Sequence, residues 1–248
     1  MQNRYVGDVG DFAKYGLLRI LTSEAAWSLG VLWWLFEDET HNSDGRHVSY
    51  LSSPVFSALD PQLHQSLERL LSAGHRTVKA VARSGILPGA TVFFDKPIFG
   101  ASSAATSRQL RERHRAAWLQ KAISATANCD LVFFDPDNGL ETASVARHSS
   151  KGGKYVFWDE LMPFWNRGQS LVIYHHLNRT ASVAKQTEIL RAKFDSKFYD
   201  AGLIRHFLFR RGSCRHFWLV SQKEHVPRCL SAIDRMAQSN WREYFAVG

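Results

Sequence analysis

Carboxylates close three of the hydrophobic runs in this chain, and they are the side chains best placed to do chemistry. Glu37, Asp38 and Glu39 follow the apolar run 31–36, Asp95 follows 91–94, and Asp135-Pro136-Asp137-Asn138-Gly139 follows 131–134. Acids at the carboxyl ends of buried strands face the rim where open α/β sheets bind ligands. Three of them on one rim suit ribose hydroxyls, an amino group or a metal ion. The stretch 135–139 is the sharpest. Asp135 stands at the strand end, Pro136 stiffens the turn through its fixed φ, and Asn138-Gly139 permits a tight turn with positive φ. Glu141, and later Asp159 and Glu160, add acid nearby.

One chemistry open to these residues is metal-dependent. Asp135, Asp137 and Glu141 offer the oxygen ligands that Mg²⁺ takes, with His41 or Asp44 from the first acidic loop as further donors. A metal there would activate water for phosphodiester cleavage, Lys151 or Lys154 would neutralise developing charge, and the chain would be a divalent-metal-dependent nuclease. His175-His176 closes another apolar run and offers an acid/base or phosphate contact, or simply a satisfied strand end. The spacing of His41 and His47 does not make a zinc site.

Two basic clusters complete the set. Arg108, Arg111, Arg113, Arg115 and Lys121 lie along one long helical pattern, the usual makeup of a solvated face. Arg205, Arg210, Arg211 and Arg215 bracket a Gly212-Ser213 turn and alternate with Phe207, Phe209, Phe217 and Trp218. Arginines at such a turn would contact phosphates, and the aromatics would stack on bases or fill a core.

The elements that must position these residues follow from hydrophobic periodicity. Helical spacing predicts helices over 11–21, 62–71, 107–127, 155–165 and 182–194, with another from about Arg228. In the first, Phe12, Tyr15 and Leu18 share a face that Lys14 and Arg19 do not, and Asp8 or Asp11 would cap it. In the longest, Leu110, His114, Ala117 and Lys121 fall on one side. Continuous apolar runs predict buried strands at 30–36, 91–94, 131–134 and 171–174, and 203–209 with 215–220 reads as a hairpin. Strands alternating with helices require right-handed crossovers, hence a parallel sheet covered by helices on both faces. No linker or internal repeat divides the chain, so residues 1–248 read as one α/β domain, Rossmann-like, with a mostly parallel sheet and a C-terminal antiparallel hairpin.

The motif Asp135-Pro136-Asp137-Asn138, placed after a hydrophobic strand, resembles the Asp-Pro-Pro-Tyr or Asn-Pro-Pro-Tyr motif of S-adenosylmethionine-dependent amino-group methyltransferases. The opening stretch Tyr5-Val6-Gly7-Asp8-Val9-Gly10-Asp11-Phe12-Ala13-Lys14-Tyr15 is similar to that of bacterial large-subunit ribosomal RNA adenine-N6 methyltransferases. The order of elements over most of the chain is similar as well. The resemblance implies a Rossmann-like methyltransferase fold and S-adenosylmethionine as cofactor. It implies that Asp135 hydrogen-bonds the target amino group, with Pro136, Asp137, Asn138 and Tyr5 completing the catalytic end. Lys14 and Asp95 would approach the cofactor, with Asp38, His41, Asn42 and Asp44 in the loop after the first strand. The chain departs from the pattern in two places. Asp137 and Asn138 stand where the family has Pro and Tyr, and the loop 37–45 holds one glycine where the family has a Gly-rich turn.

Charge and cysteine content set the class. Lys and Arg number 31 against 23 Asp and Glu, a formal +8, which favours an acidic partner with nucleic acid first. DNA and RNA stay equally open, as does the oligomeric state, and a non-catalytic nucleic-acid-binding module on a degenerate methyltransferase fold is a further possibility. A 45% hydrophobic share excludes disorder, collagen-like repeats and coiled coil. Three scattered cysteines without a C-x-x-C argue against a disulfide framework or a zinc finger. The N-terminus lacks the apolar run of a signal peptide, and no run is long enough to cross a bilayer, so a cytoplasmic location without membrane is expected.

Overall fold

The computed structural model describes residues 1–23, 27–39, 45–99 and 107–248. Its strands, in chain order, are β1 (Leu29–Leu32), β2 (Val92–Phe94), β3 (Leu131–Phe134), β4 (Gly139–Leu140), β5 (Tyr155–Val156), β6 (Ser170–His176), β7 (Leu203–Arg211), β8 (Ser213–Ser221) and β9 (Phe245–Val247). Seven of them form one sheet in the order β2-β1-β3-β6-β8-β7-β9, and β4 and β5 form a small parallel pair apart from it. Strands β2, β1, β3 and β6 are parallel, and β8 lies antiparallel between β6 and β7. The protein is thus α/β with a mixed, mostly parallel sheet. The α-helices are α1 (Val9–Thr22), α2 (Pro54–Ser57), α3 (Pro61–Ser72), α4 (Val78–Arg83), α5 (Arg108–Ala125), α6 (Trp158–Trp165), α7 (Val183–Lys197) and α8 (Val226–Gln238).

Alternation along the strands explains how the sheet is covered. Successive side chains point to opposite faces. Leu131 and Phe133 join one core with Phe12, Leu18, Leu63 and Met236, while Val132 and Phe134 join another with Trp118, Leu161 and Phe194. Helices α1, α3 and α8 therefore cover one face, and α5, α6 and α7 the other. All eight tryptophans are buried in this packing. Phe207, Phe209, Phe217 and Trp218 are fully buried too, so the aromatics around the arginine-bearing turn are core and not a stacking surface.

Several elements differ from what periodicity predicts. The apolar run 30–36 leaves the sheet after Leu32, because Trp34 takes a positive φ of 23° and turns the chain. In α5 the buried positions are Arg115, Trp118 and Ala122, and Leu110 is exposed. Burial there follows a bidentate pair between Arg115 and Glu160, whose carboxylate also accepts from the Phe157 N–H at the start of α6. The pair β7–β8 turns at Gly212 with φ +69°, and the chain then adds α8 and an edge strand, β9, on β7. Among the described residues no helix is long and apolar enough to cross a membrane, and all three cysteines are free.

Candidate functional site

Asp135 leaves β3 with the same parity as Phe133, so its carboxylate falls on the face that α1 covers. There it meets Lys14. The ammonium Nζ lies 2.7 Å from Asp135 Oδ2 and 2.6 Å from Asp11 Oδ1, and all three side chains are buried. Asp8 caps α1 by accepting from the Asp11 N–H at 2.9 Å, which leaves Asp11 free of the cap role and turned inward onto Lys14. Asp11 Oδ2 accepts from the Gly7 N–H as well. The helix face that periodicity assigns away from the core is thus a second, ionic contact surface.

Burial pushes the Asp135 and Asp11 carboxyls above their ordinary range, and Lys14 pulls both back. Burial alone would lower the Lys14 ammonium, but the two carboxylates outweigh it and hold its pKa well above the usual value. Two acids sharing one cation in a low-dielectric site make a group that accepts a hydrogen bond or a proton at Asp135 while staying anchored by Lys14.

The turn after Asp135 is pinned on both sides. The Asn138 N–H donates to Lys154 O at 2.9 Å, and Asn138 O accepts from the His176 N–H. Gly139 follows with φ +106°, and a Cβ there would lie 2.6 Å from the His175 Cα. Only glycine fits both demands. Asp137 Oδ2 accepts from Gln2 Nε2 at 2.7 Å and faces Lys154 Nζ at 3.4 Å, while its buried Oδ1 has no hydrogen-bond partner.

These residues open onto a cavity of about 530 Å³ at the carboxyl ends of β3 and β6, within the usual size of a small-molecule site. It lies beside the switch point of the sheet, where β2 and β3 leave β1 in opposite directions. Asp135, Pro136, Asp137, Asn138, Tyr5 and Lys14 all line it. So does Arg215, which shares a face with Phe217 and Leu219 and therefore also points toward α1. Tyr174 and His176 on β6 have the same parity and line the wall between them. Burial raises the Tyr174 phenol to about 12.

The other sequence-derived candidates lie elsewhere. Asp38 is exposed and accepts from the Arg4 N–H; Asp95 sits 3.9 Å from Lys96, and neither lines the cavity. His41, Asn42 and Asp44 lie outside the described residues. Glu141 accepts from the Trp158 N–H and borders a separate hollow, so it does not join Asp135 and Asp137. Among the described residues no three His, Cys, Asp or Glu side chains gather as a metal site. Lys154 reaches the site and Lys151 is exposed. Arg205 bonds Ile204 O, Arg210 is exposed, and Arg211 lies over the Tyr244 ring, so Arg215 alone of its cluster enters the cavity. Sequence reasoning missed Asp11, Gln2 and Tyr174. Asp11 was discernible as the acid three residues before Lys14, a spacing that brings side chains together on a helix.

Neither a scan of protein-family models nor a search of curated proteins returns a match to this chain.

Proposed function

We propose that this protein is a Rossmann-like, S-adenosylmethionine-dependent methyltransferase acting on an amino group of a nucleic-acid base. The observation that carries the reading is the 2.7 Å contact between Lys14 and Asp135 inside the strand-end cavity. These are the two residues that the resemblance assigns to the cofactor and to the target amine, and they come from distant parts of the chain. The sheet adds support. The antiparallel pair β7 and β8, which follows the parallel strands, supports the terminal hairpin that the resemblance implies.

The residues present fit such a cofactor. Asp137 gives the cavity a buried carboxylate, which faces the Met1 ammonium at 4.0 Å and Lys154 at 3.4 Å and makes a charged end suited to the cofactor's amino-acid group, and the cavity volume is adequate. Bound there against Asp137 and Lys14, S-adenosylmethionine would supply an electrophilic methyl group.

The chain's own part is to orient and to move a proton. Asp135 Oδ accepts a hydrogen bond from the target amino group and turns its nitrogen toward the cofactor side. Asp11 and Lys14 hold that carboxylate in place. A proton released at the amino nitrogen passes to Asp135, whose burial makes it more basic than a solvated carboxylate. Pro136 and the pinned Asn138 fix the height of the turn beneath the base.

Titration calorimetry with S-adenosylmethionine tests the reading. Micromolar to sub-millimolar binding that weakens in Lys14→Ala is expected. No binding at millimolar cofactor, with salt-sensitive nucleic-acid binding retained, would leave a binding module instead.

A further inference from the structure

The arginine end of the cavity has no role in the chemistry above. Arg215 is only 6% exposed, yet its Nε and Nη1 have no hydrogen-bond partner. Its Nη2 donates to Ser213 Oγ at 2.6 Å, and its guanidinium carbon lies 5.8 Å from the centre of the Phe209 ring. Among the described residues it forms no ion pair. A buried guanidinium with two idle donors is costly unless a ligand completes it.

The neighbours make room for that ligand. Gly10, in the first turn of α1, lies so close that an added Cβ would come within 2.0 Å of Arg215 Nη1. Any other residue there would displace the guanidinium. Asp8, the nearest carboxylate on that turn, accepts from the Asp11 N–H through Oδ1 and makes no ion pair with Arg215. Arg179, exposed at the cavity lip, adds a second positive charge facing the same space. The turn that carries Ser213 continues outward into the exposed Arg210 and Arg211.

We infer that Arg215 is a phosphate clamp: the cavity takes a nucleotide unit whose phosphate accepts from the Arg215 guanidinium, pairing an idle donor with the second Nη2 hydrogen, with its base toward Asp135. Guanidinium nitrogens in a fixed fork match phosphate oxygens in pairs. A carboxylate of the cofactor has the same chemistry. The phosphate is favoured because the cofactor is assigned to Lys14 and Asp137, and because positive charge runs on from Arg215 over the outer turn. The inference rests on the methyl-transfer reading for the position of the base.

The test is calorimetry on the full chain with adenosine 5′-monophosphate, adenosine and S-adenosylmethionine as separate probes. In the wild type the monophosphate is expected to bind at least tenfold more tightly than adenosine. Arg215→Gln should abolish that gap and leave S-adenosylmethionine binding within twofold. Gly10→Ala is the second variant. It keeps every charge and suits a helix, and it should also remove the gap by pushing the guanidinium aside. A gap that survives in both variants, or no gap in the wild type, overturns the clamp. A loss of S-adenosylmethionine affinity in Arg215→Gln overturns it in favour of the cofactor carboxylate. If the wild type ignores S-adenosylmethionine while the phosphate gap disappears in both variants, the clamp stands and the methyl-transfer reading falls.

Discussion

Lys14 Nζ and Asp135 Oδ2 lie 2.7 Å apart although 121 positions separate them in the chain. Asp11 holds the other side of the same ammonium, so α1 and the end of β3 are joined by one cation between two buried carboxylates. Removing the cation leaves both acids without their closest compensating charge in a dry site, and removing one acid leaves a simple pair. The two changes are therefore unequal. Lys14→Met should destabilise the fold by about 3–5 kcal/mol, read as a shift in urea midpoint. The same change in an Asp135→Asn background should cost clearly less, because only Asp11 then remains buried and charged. Equal costs in the two backgrounds would dissolve the coupling.

Asp135→Asn separates orientation from binding. The amide keeps the shape of the carboxylate and leaves Lys14 paired with Asp11. It cannot take up a proton from the target amine. Methyl transfer to a nucleic-acid substrate should fall by about 10²–10⁴-fold while S-adenosylmethionine affinity changes little. A variant that keeps full turnover would take Asp135 out of the reaction.

Much of this site was legible in the sequence, for a physical reason. Strand ends are set by local pattern, and Asp135-Pro136-Asp137-Asn138-Gly139 carries its turn chemistry in consecutive residues. The runs 91–94 and 131–134 likewise appear as β2 and β3 within one residue. What failed depends on partners distant in the chain. Arg115 reads as one more surface arginine until Glu160 meets it from α6, and the face of α5 then rotates away from Leu110. The run 30–36 reads as one strand because nothing local announces the positive φ at Trp34. The arginines around Gly212 look equivalent by composition, but strand parity and the approach of Gly10 send only Arg215 into the cavity.

A buried row of histidines on the opposite face of the sheet sets an acid limit. Burial, together with neighbouring histidines, lowers His216 to about 3 and His175 to about 4. The folded state thus takes up protons less readily than the unfolded chain, where histidine titrates near 6.5. Their stabilising contribution is complete above 6.5 and is lost as pH falls toward those folded values. Between pH 6.5 and 5 each histidine should remove about 2 kcal/mol. Asp11 and Asp135, raised by burial, tilt the profile the other way, so the difference between wild type and His216→Asn is the measurement. Parallel pH profiles for the two proteins would exclude His216 as the cause.

Arg115 links the far helices to the segment that pins the turn after Asp135. Besides Glu160 it donates to Gly152 O at 2.9 Å and Tyr155 O at 2.7 Å, which anchors the segment that carries Lys154. Lysine lacks the planar fork these partners require. Arg115→Lys should therefore cost about 1–3 kcal/mol through unsatisfied carbonyls and speed amide exchange across residues 150–157. Unchanged exchange there would confine Arg115 to packing α5 on α6.

Arg210 and Arg211, exposed on the outer turn, provide the last test, because they touch a nucleic acid only if it extends beyond the cavity. Each phosphate contact that they make releases condensed counterions. The logarithm of the binding constant falls with the logarithm of salt concentration by about 0.7 per contact on single strands and about 0.9 on duplex. Arg210→Gln with Arg211→Gln should accordingly flatten the slope by about 1.4–1.8, and by less if Arg211 stays on Tyr244. Turnover on a mononucleotide should be unaffected, because neither side chain reaches Asp135 or Arg215. An unchanged slope, measured by fluorescence anisotropy across 50–300 mM salt, would mean that the substrate ends at the cavity mouth and that the +8 excess acts elsewhere.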